Sequence, residues 1–240
     1  MKYKLNRSFD DIYQACIYSA TANAVSNLRF PFFSAEHSWE RVNYSSNYVS
    51  NVGTITFDLP NKTLVGAIRE DTSERIMWYP NYNAIELLTA APDSIKLLAQ
   101  NEAFQYLLLG FDEKVKFWQR PKPSVTVPVI TTVLWSEGDE IYSCDDYDNF
   151  FLNGGDISMR ILMTIQELQV YWQDNSDFTD EEMNFVNYLF RQKMQSNSNI
   201  KVDVASYIAK DSEGYINYID KNSNGYKEFL TSMNELGFEI

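Results

Sequence analysis

Two short runs near the first quarter of the chain constrain its fold most. Val52 to Leu59 carries Thr54, Ile55, Thr56 and Phe57 and is closed by Pro60. After the turn residues Asn61-Lys62 comes Thr63 to Ile68, with Leu64, Val65 and Ile68. β-branched and aromatic residues bounded by turn formers fit the half-buried surface of a pleated strand. Two such runs this close together predict an antiparallel hairpin, and a hairpin needs further strands or a helix to be stable.

Further strands are expected at Val125 to Trp135, interrupted at Pro128, and at Ile141 to Cys144 as its hairpin partner. Helical spacing surrounds them. Ser8 caps a helix to about Leu28, with Ile12, Ala15, Cys16 and Ser19 on one face. Two more are expected at Tyr82 to Ala90 and Asp93 to Leu109, divided by Pro92 and stopped at Gly110. Ser158 to Trp172 reads as the most apolar helix, buried on most sides through Ile161, Ile165, Leu168 and Trp172. Thr179 and Glu182 form a capping box for a helix to about Gln195, with Phe178 and Met183 as its staple. A last helix is expected from Tyr226 to Leu236, stopped by Gly237. The layout is α+β: an antiparallel sheet flanked by helices, with a mostly helical C-terminal third. We expect one composite domain, with residues 1–155 as the α+β part and 156–240 as the helical part.

The 240 residues carry a formal net charge of −13, and the charge is local. Between Glu137 and Glu182 stand thirteen of the 33 acidic residues but only one of the 20 basic ones, Arg160. The rest of the chain is close to neutral. One acidic centre is Glu137, Asp139, Glu140, Asp145, Asp146 and Asp148, and the other is Asp174, Asp177, Asp180, Glu181 and Glu182. A helix of Ser158 to Trp172 would set the two near its opposite ends. Aromatic residues interleave with the acids: Trp135, Tyr142, Tyr147, Phe150, Phe151, Tyr171, Trp172 and Phe178. Of these, Phe150, Phe151 and Trp172 are expected in the core.

Such a chain repels nucleic acid and anionic membranes, which recruit Lys and Arg to phosphate. It attracts basic proteins. Neither a signal peptide nor an apolar run of membrane-spanning length is present, so a cytoplasmic location is expected. Two cysteines exclude a disulfide framework.

Chemical motifs are sparse. His37 is the single histidine and is expected as a surface or capping residue. One His and two Cys leave no zinc set. Asp220, Asn222, Asn224 and Gly225 match the opening of a calcium loop, but Thr231 stands where the bidentate Glu belongs. A related turn occupies Asp211 to Tyr215. Asp145-Asp146-Tyr147-Asp148 is a contiguous acidic run, whereas magnesium sites draw carboxylates from separate elements. Asn153-Gly154-Gly155-Asp156 lacks a phosphate-loop lysine and reads as a turn with Asp156 as helix cap. Lys114, Lys116, Arg120 and Lys122, with Phe117 and Trp118, form the one basic patch. No cofactor or metal is implied.

His37-Ser38-Trp39-Glu40-Arg41-Val42-Asn43-Tyr44, followed by Gly53-Thr54-Ile55-Thr56-Phe57 and Ala67-Ile68-Arg69-Glu70-Asp71, resembles a group of uncharacterised small bacterial proteins. That group has a His-Ser-Trp-acid-x-x-Asn-Tyr stretch and then Gly-Thr-Ile-Thr-Phe. Relatives have Gly after the acid, where this chain has Arg41. Proteins of this type resemble toxin-immunity partners, and no catalytic residues follow from the resemblance.

The leading expectation is therefore a binding protein, an immunity protein that occludes a basic toxin such as a nuclease. The candidate partner surface is Glu137, Asp139, Glu140, Asp145, Asp146, Tyr147, Asp148, Asp174, Asp177, Asp180 and Glu181. Two alternatives stay open: a carboxylate- or metal-dependent hydrolase, and a regulatory interaction module without a toxin.

Overall fold

The computed structural model describes residues 1–28, 37–48, 51–111, 125–196, 200–202 and 223–239. Strand β1 (Tyr3–Ser8) leads into helix α1 (Phe9–Asn27), followed by β2 (His37–Glu40), β3 (Asn43–Tyr48), β4 (Asn51–Asp58) and β5 (Thr63–Glu70). Helix α2 (Asp93–Asn101) precedes β6 (Leu108–Phe111), β7 (Val125–Pro128), β8 (Thr132–Glu137) and β9 (Glu140–Ser143). The remaining elements are α3 (Tyr147–Leu152), α4 (Ile165–Asn175), α5 (Asp180–Gln195), β10 (Ile200–Lys201), α6 (Asn224–Glu235) and β11 (Phe238–Glu239). A seven-stranded antiparallel sheet runs in the order β1-β9-β8-β5-β4-β3-β2, so the fold is α+β.

The β4–β5 hairpin forms as expected, with Thr54 opposite Ala67 and Lys62 held in the turn at φ 49°. The β8–β9 hairpin also forms, and Pro128 ends β7, which pairs with β6 in a separate ribbon. A hairpin not read from the sequence joins β2 to β3, setting Trp39 opposite Tyr44. Its turn places Arg41 at φ 55°, a backbone region in which glycine is the low-cost residue.

The chain divides into two compact units: residues 1–9 with 47–158, and residues 10–46 with 159–240. In the first unit, one face of the sheet (Val65, Ala67, Val133 and Trp135) is covered by Leu87, Leu88, Ile95, Ala99, Phe104 and Leu107. The expected helix from Asp93 to Leu109 ends early. Glu102 leaves helical geometry at φ −128°, a 3-10 turn follows, and Leu108–Phe111 pairs as a strand with Val125–Pro128. Gly110 thus lies in a strand and stops no helix. The expected helix over Tyr82 to Ala90 is only a 3-10 turn, Ala84–Leu88.

In the second unit, α1 is the helix buried nearly all round, with Ile12, Ala15, Cys16, Ile17, Tyr18 and Ser19 fully inaccessible. The Tyr18 hydroxyl donates to Asn187 at 3.0 Å, and its ring meets Phe190 of α5. Phe185 of α5 packs in turn against Phe229 of α6. The long helix expected from Ser158 to Trp172 is corrected to α4, which starts at Ile165 behind a full capping box of Thr164 and Glu167. It buries one face only: Leu168 and Trp172 are inside, while Val170 is exposed. The capping box at Thr179 and Glu182 forms as read. Gly237, at φ 85°, follows the end of α6. Among the described residues, no helix is long and apolar enough to cross a membrane.

Candidate functional site

The first acidic centre lies in the first unit, and its carboxylates have unequal roles. Glu137 is paired with Lys2, just before β1, at 2.5 Å, and Glu140 is paired with Lys4 of β1. Burial pushes the Glu137 carboxyl up, but the bonds from Lys2 and Trp135 outweigh it and leave it below the usual range, and Lys4 holds the Glu140 carboxyl low. Asp145 is buried. It takes two charge-assisted bonds from the Arg75 guanidinium, at 2.6 and 2.7 Å, and a third from the Thr132 hydroxyl at 2.7 Å. Asp145 is therefore no part of an exposed docking face. It is the internal counter-ion of Arg75.

Asp146 caps α3 by accepting from the backbone N–H of Asn149. Asp139, Tyr147 and Asp148 are exposed. The contiguous acidic run thus splits inward, sideways and outward, unlike a cation cage. Among the described residues, no three His, Cys, Asp or Glu side chains gather in metal-binding geometry. Asn224 and Gly225 stand in the first turn of α6 behind the Ser223 cap, which leaves no calcium-loop turn at Gly225. Asp220, Asn222, the turn from Asp211 to Tyr215 and the basic patch Lys114, Lys116, Arg120 and Lys122 lie outside the described residues.

Asp156 is not a helix cap. It accepts from the Asn51 side-chain amide at 3.1 Å, within a 3-10 turn. The glycines before it answer to packing: a Cβ at Gly154 would lie 2.8 Å from Glu70, and one at Gly155 would lie 2.3 Å from Phe150.

The second centre belongs to the second unit. Asp174, Asp177, Asp180 and Glu181 are exposed, and Glu182 is buried in its capping box. Asp180 and Glu181 occupy the first turn of α5, where the positive end of the helix dipole favours acids. Asp180 also accepts from Gln173 at 3.0 Å. Much of this centre therefore has a local structural reason. The two centres lie in separate units, and the helix expected to space them is eleven residues long.

What the sequence reading missed is the segment facing the first centre. Ser73 caps a 3-10 turn, Glu74–Trp78. Arg75 of that turn reaches Asp145, and the Ser73 hydroxyl donates to Asn153 Oδ1 at 2.7 Å. These bonds fasten the turn to the stretch that carries α3. On the outside, Met77 is 80% exposed and Trp78 42%, while Tyr147 and Leu152 of α3 are 69% and 72% exposed. Trp78 is stiffened by Tyr82, with ring centroids 5.0 Å apart, and by the Arg75 guanidinium 5.3 Å from its ring. Glu74, Asp146 and Asp148 stand beside these apolar groups in sequence and carry the charge. The missed signal was Ile76-Met77-Trp78, an apolar triplet that fits neither helical nor strand periodicity.

The aromatic readings divide similarly. Trp135, Phe150, Trp172 and Phe178 are core residues, Phe151 is half-buried and Tyr147 faces out. His37 corrects the expectation of a surface or capping residue, because it is 1% exposed and hydrogen-bonded on both ring nitrogens. Both cysteines are free thiols; burial pushes Cys144 up to about 11, which removes it as a nucleophile at neutral pH. Comparison with protein-family models, with curated proteins and with solved structures gives no match for this chain.

Proposed function

We propose that this protein is a binding protein for a basic protein partner, and more specifically an immunity protein that occludes a basic toxin. The observation that carries the reading is the set of exposed apolar side chains Met77, Trp78, Tyr147 and Leu152, borne on two segments that are fastened to each other and accompanied by acids. Interfaces are anchored by Trp, Tyr and Met within a polar rim, and a rigid anchor loses little entropy on binding. Glu74, Asp146 and Asp148 would steer a cationic surface onto these side chains. The toxin partner is supported by the local charge and by the resemblance carried from His37 to Asp71.

The test is co-expression and co-purification with the product of the neighbouring gene. A stable complex is expected. Trp78→Ala should weaken it by about 2 kcal/mol or more, as expected of a hot-spot aromatic. Glu74→Lys with Asp148→Lys should slow association and reduce its salt dependence. Asp145 is left intact in these variants, because its loss would disturb the fold rather than the surface. Absence of a complex, or a complex indifferent to both changes, overturns the reading.

A further inference from the structure

Arg160, the single basic residue of the acidic segment, makes no ion pair among the described residues. Its half-buried guanidinium donates from Nη1 to Nε2 of His37 and from Nη2 to the Tyr171 hydroxyl, and lies 4.7 Å from the Tyr171 ring. All of these groups belong to the second unit.

Donor counting fixes the proton positions. A guanidinium can only donate, so Nε2 of His37 must be the acceptor. The ring proton then sits on Nδ1, which donates to the Tyr44 hydroxyl at 2.5 Å. Burial, and then the neighbouring Arg160 charge, hold His37 well below its ordinary pKa, so the imidazole is neutral. The Tyr44 hydroxyl oxygen is thus the acceptor of the His37 bond. The bonds thus run away from Arg160, and among the described residues none returns a negative charge to it.

The uncommitted polar hydrogens are all donors. They are the Nε hydrogen and the second hydrogens on Nη1 and Nη2 of Arg160, the hydroxyl hydrogen of Tyr171, and the indole N–H of Trp172. Trp172 is 4% exposed, and among the described residues its buried Nε1 has no hydrogen-bond partner. Its ring lies 5.5 Å from that of His37, edge to face. A buried donor without an acceptor costs free energy, and a partly desolvated cation without a counter-charge costs more.

We infer that Arg160 and Tyr171 form a binding site for a small oxyanion, a carboxylate or phosphate group gripped by the guanidinium fork, with the Trp172 ring beside them. Bidentate recognition of this kind is what distinguishes arginine from lysine. His37 acts as a positioning residue, because the bond it accepts fixes the plane of the fork.

The full chain is titrated by calorimetry near neutral pH, with inorganic phosphate in one arm and succinate in the other, to separate the two sources of the oxyanion. Saturable binding is expected in at least one arm. It should weaken about tenfold or more in Arg160→Gln, which removes the charge-assisted bonds. Arg160→Lys keeps the charge but loses the fork and should fall between the two. Tryptophan fluorescence of the unaltered protein should shift on saturation, and the shift should vanish in Trp172→Phe. Circular dichroism establishes that each variant is folded. No saturable binding by the unaltered protein in either arm overturns the proposal, as does equal binding by a folded Arg160→Gln.

Discussion

Two arginines, one in each unit, meet opposite surroundings. Arg75 shares its fork with a buried carboxylate and a backbone carbonyl, from Asp145 and Thr131. Arg160 meets an imidazole, a phenol and an aromatic face. In sequence both are single basic residues near acids. The counter-ion of Arg75 stands 70 positions away, and pairing at that range belongs to tertiary structure. The difference separates a charge that fastens the fold from one left with donors to offer. It makes the Arg75 pair the more fragile of the two. Breaking a buried pair strands its partner, whereas removing a charge that has no counter-ion strands none.

The largest effect should therefore come from Asp145→Ala. With both side chains mostly buried, its loss should cost about 3–5 kcal/mol in urea unfolding, because Arg75 keeps its charge without its partner. Replacing both, Arg75→Met with Asp145→Leu, should recover most of that loss. A cost below about 1 kcal/mol for the single change would place the pair with exposed bridges and remove the fastening of Trp78.

The pH dependence of stability should report on the other arginine. His37 has a folded-state pKa well below its ordinary value, through burial first and Arg160 second. Its contribution is fully present above the unfolded-state pKa. It is lost as the pH falls below that value toward the folded one, because the unfolded chain then binds the extra proton. The slope in that window should approach about 1.4 kcal/mol per pH unit, and His37→Gln should flatten it. Equal slopes in the two proteins would mean that His37 is not held neutral. Arg160→Met should cost about 1 kcal/mol, the scale of the lost hydrogen bonds and ring contact. It should also let the His37 pKa rise, which narrows the window.

The same contrast marks what the sequence could convey. Local signals were legible: the hairpin around Lys62, the capping box at Thr179 and the terminal helix before Gly237 all depend on residues a few positions apart. Periodicity told which side is buried but not where a helix begins. Ile161, Leu168 and Trp172 are buried as their spacing implied, yet α4 starts only behind the Thr164 cap, which carries the same signature as Thr179. Leu108 and Leu109 continue the helical pattern expected from Asp93, and their strand partners, Pro128 and Val127, are remote in sequence. The acids were visible as charges, but their roles were not. Glu137 and Glu140 answer Lys2 and Lys4 from the far end of the chain, and Asp145 turns inward. His37 looked like a surface residue because an isolated histidine carries no periodic mark, and its partners Tyr44 and Arg160 come from other elements.

The smallest effect should be at the Lys4–Glu140 pair, which sharpens the comparison from its outer limit. Both side chains are about half exposed, at 56% and 50%. An exposed pair gains little because water already solvates each charge and two long side chains lose rotamer freedom in one geometry. Lys4→Ala should leave the urea midpoint unchanged within error, at low salt as at high. It would nevertheless release Glu140 from a cation at the sheet edge and raise its carboxyl pKa toward the ordinary value. The exposed side chains of α3 would then sit in a more negative field, so association with a basic partner should quicken at low salt while stability stays level. A clear loss of stability in Lys4→Ala would show instead that Lys2 and Lys4 fasten the sheet edge as Arg75 fastens the anchor turn.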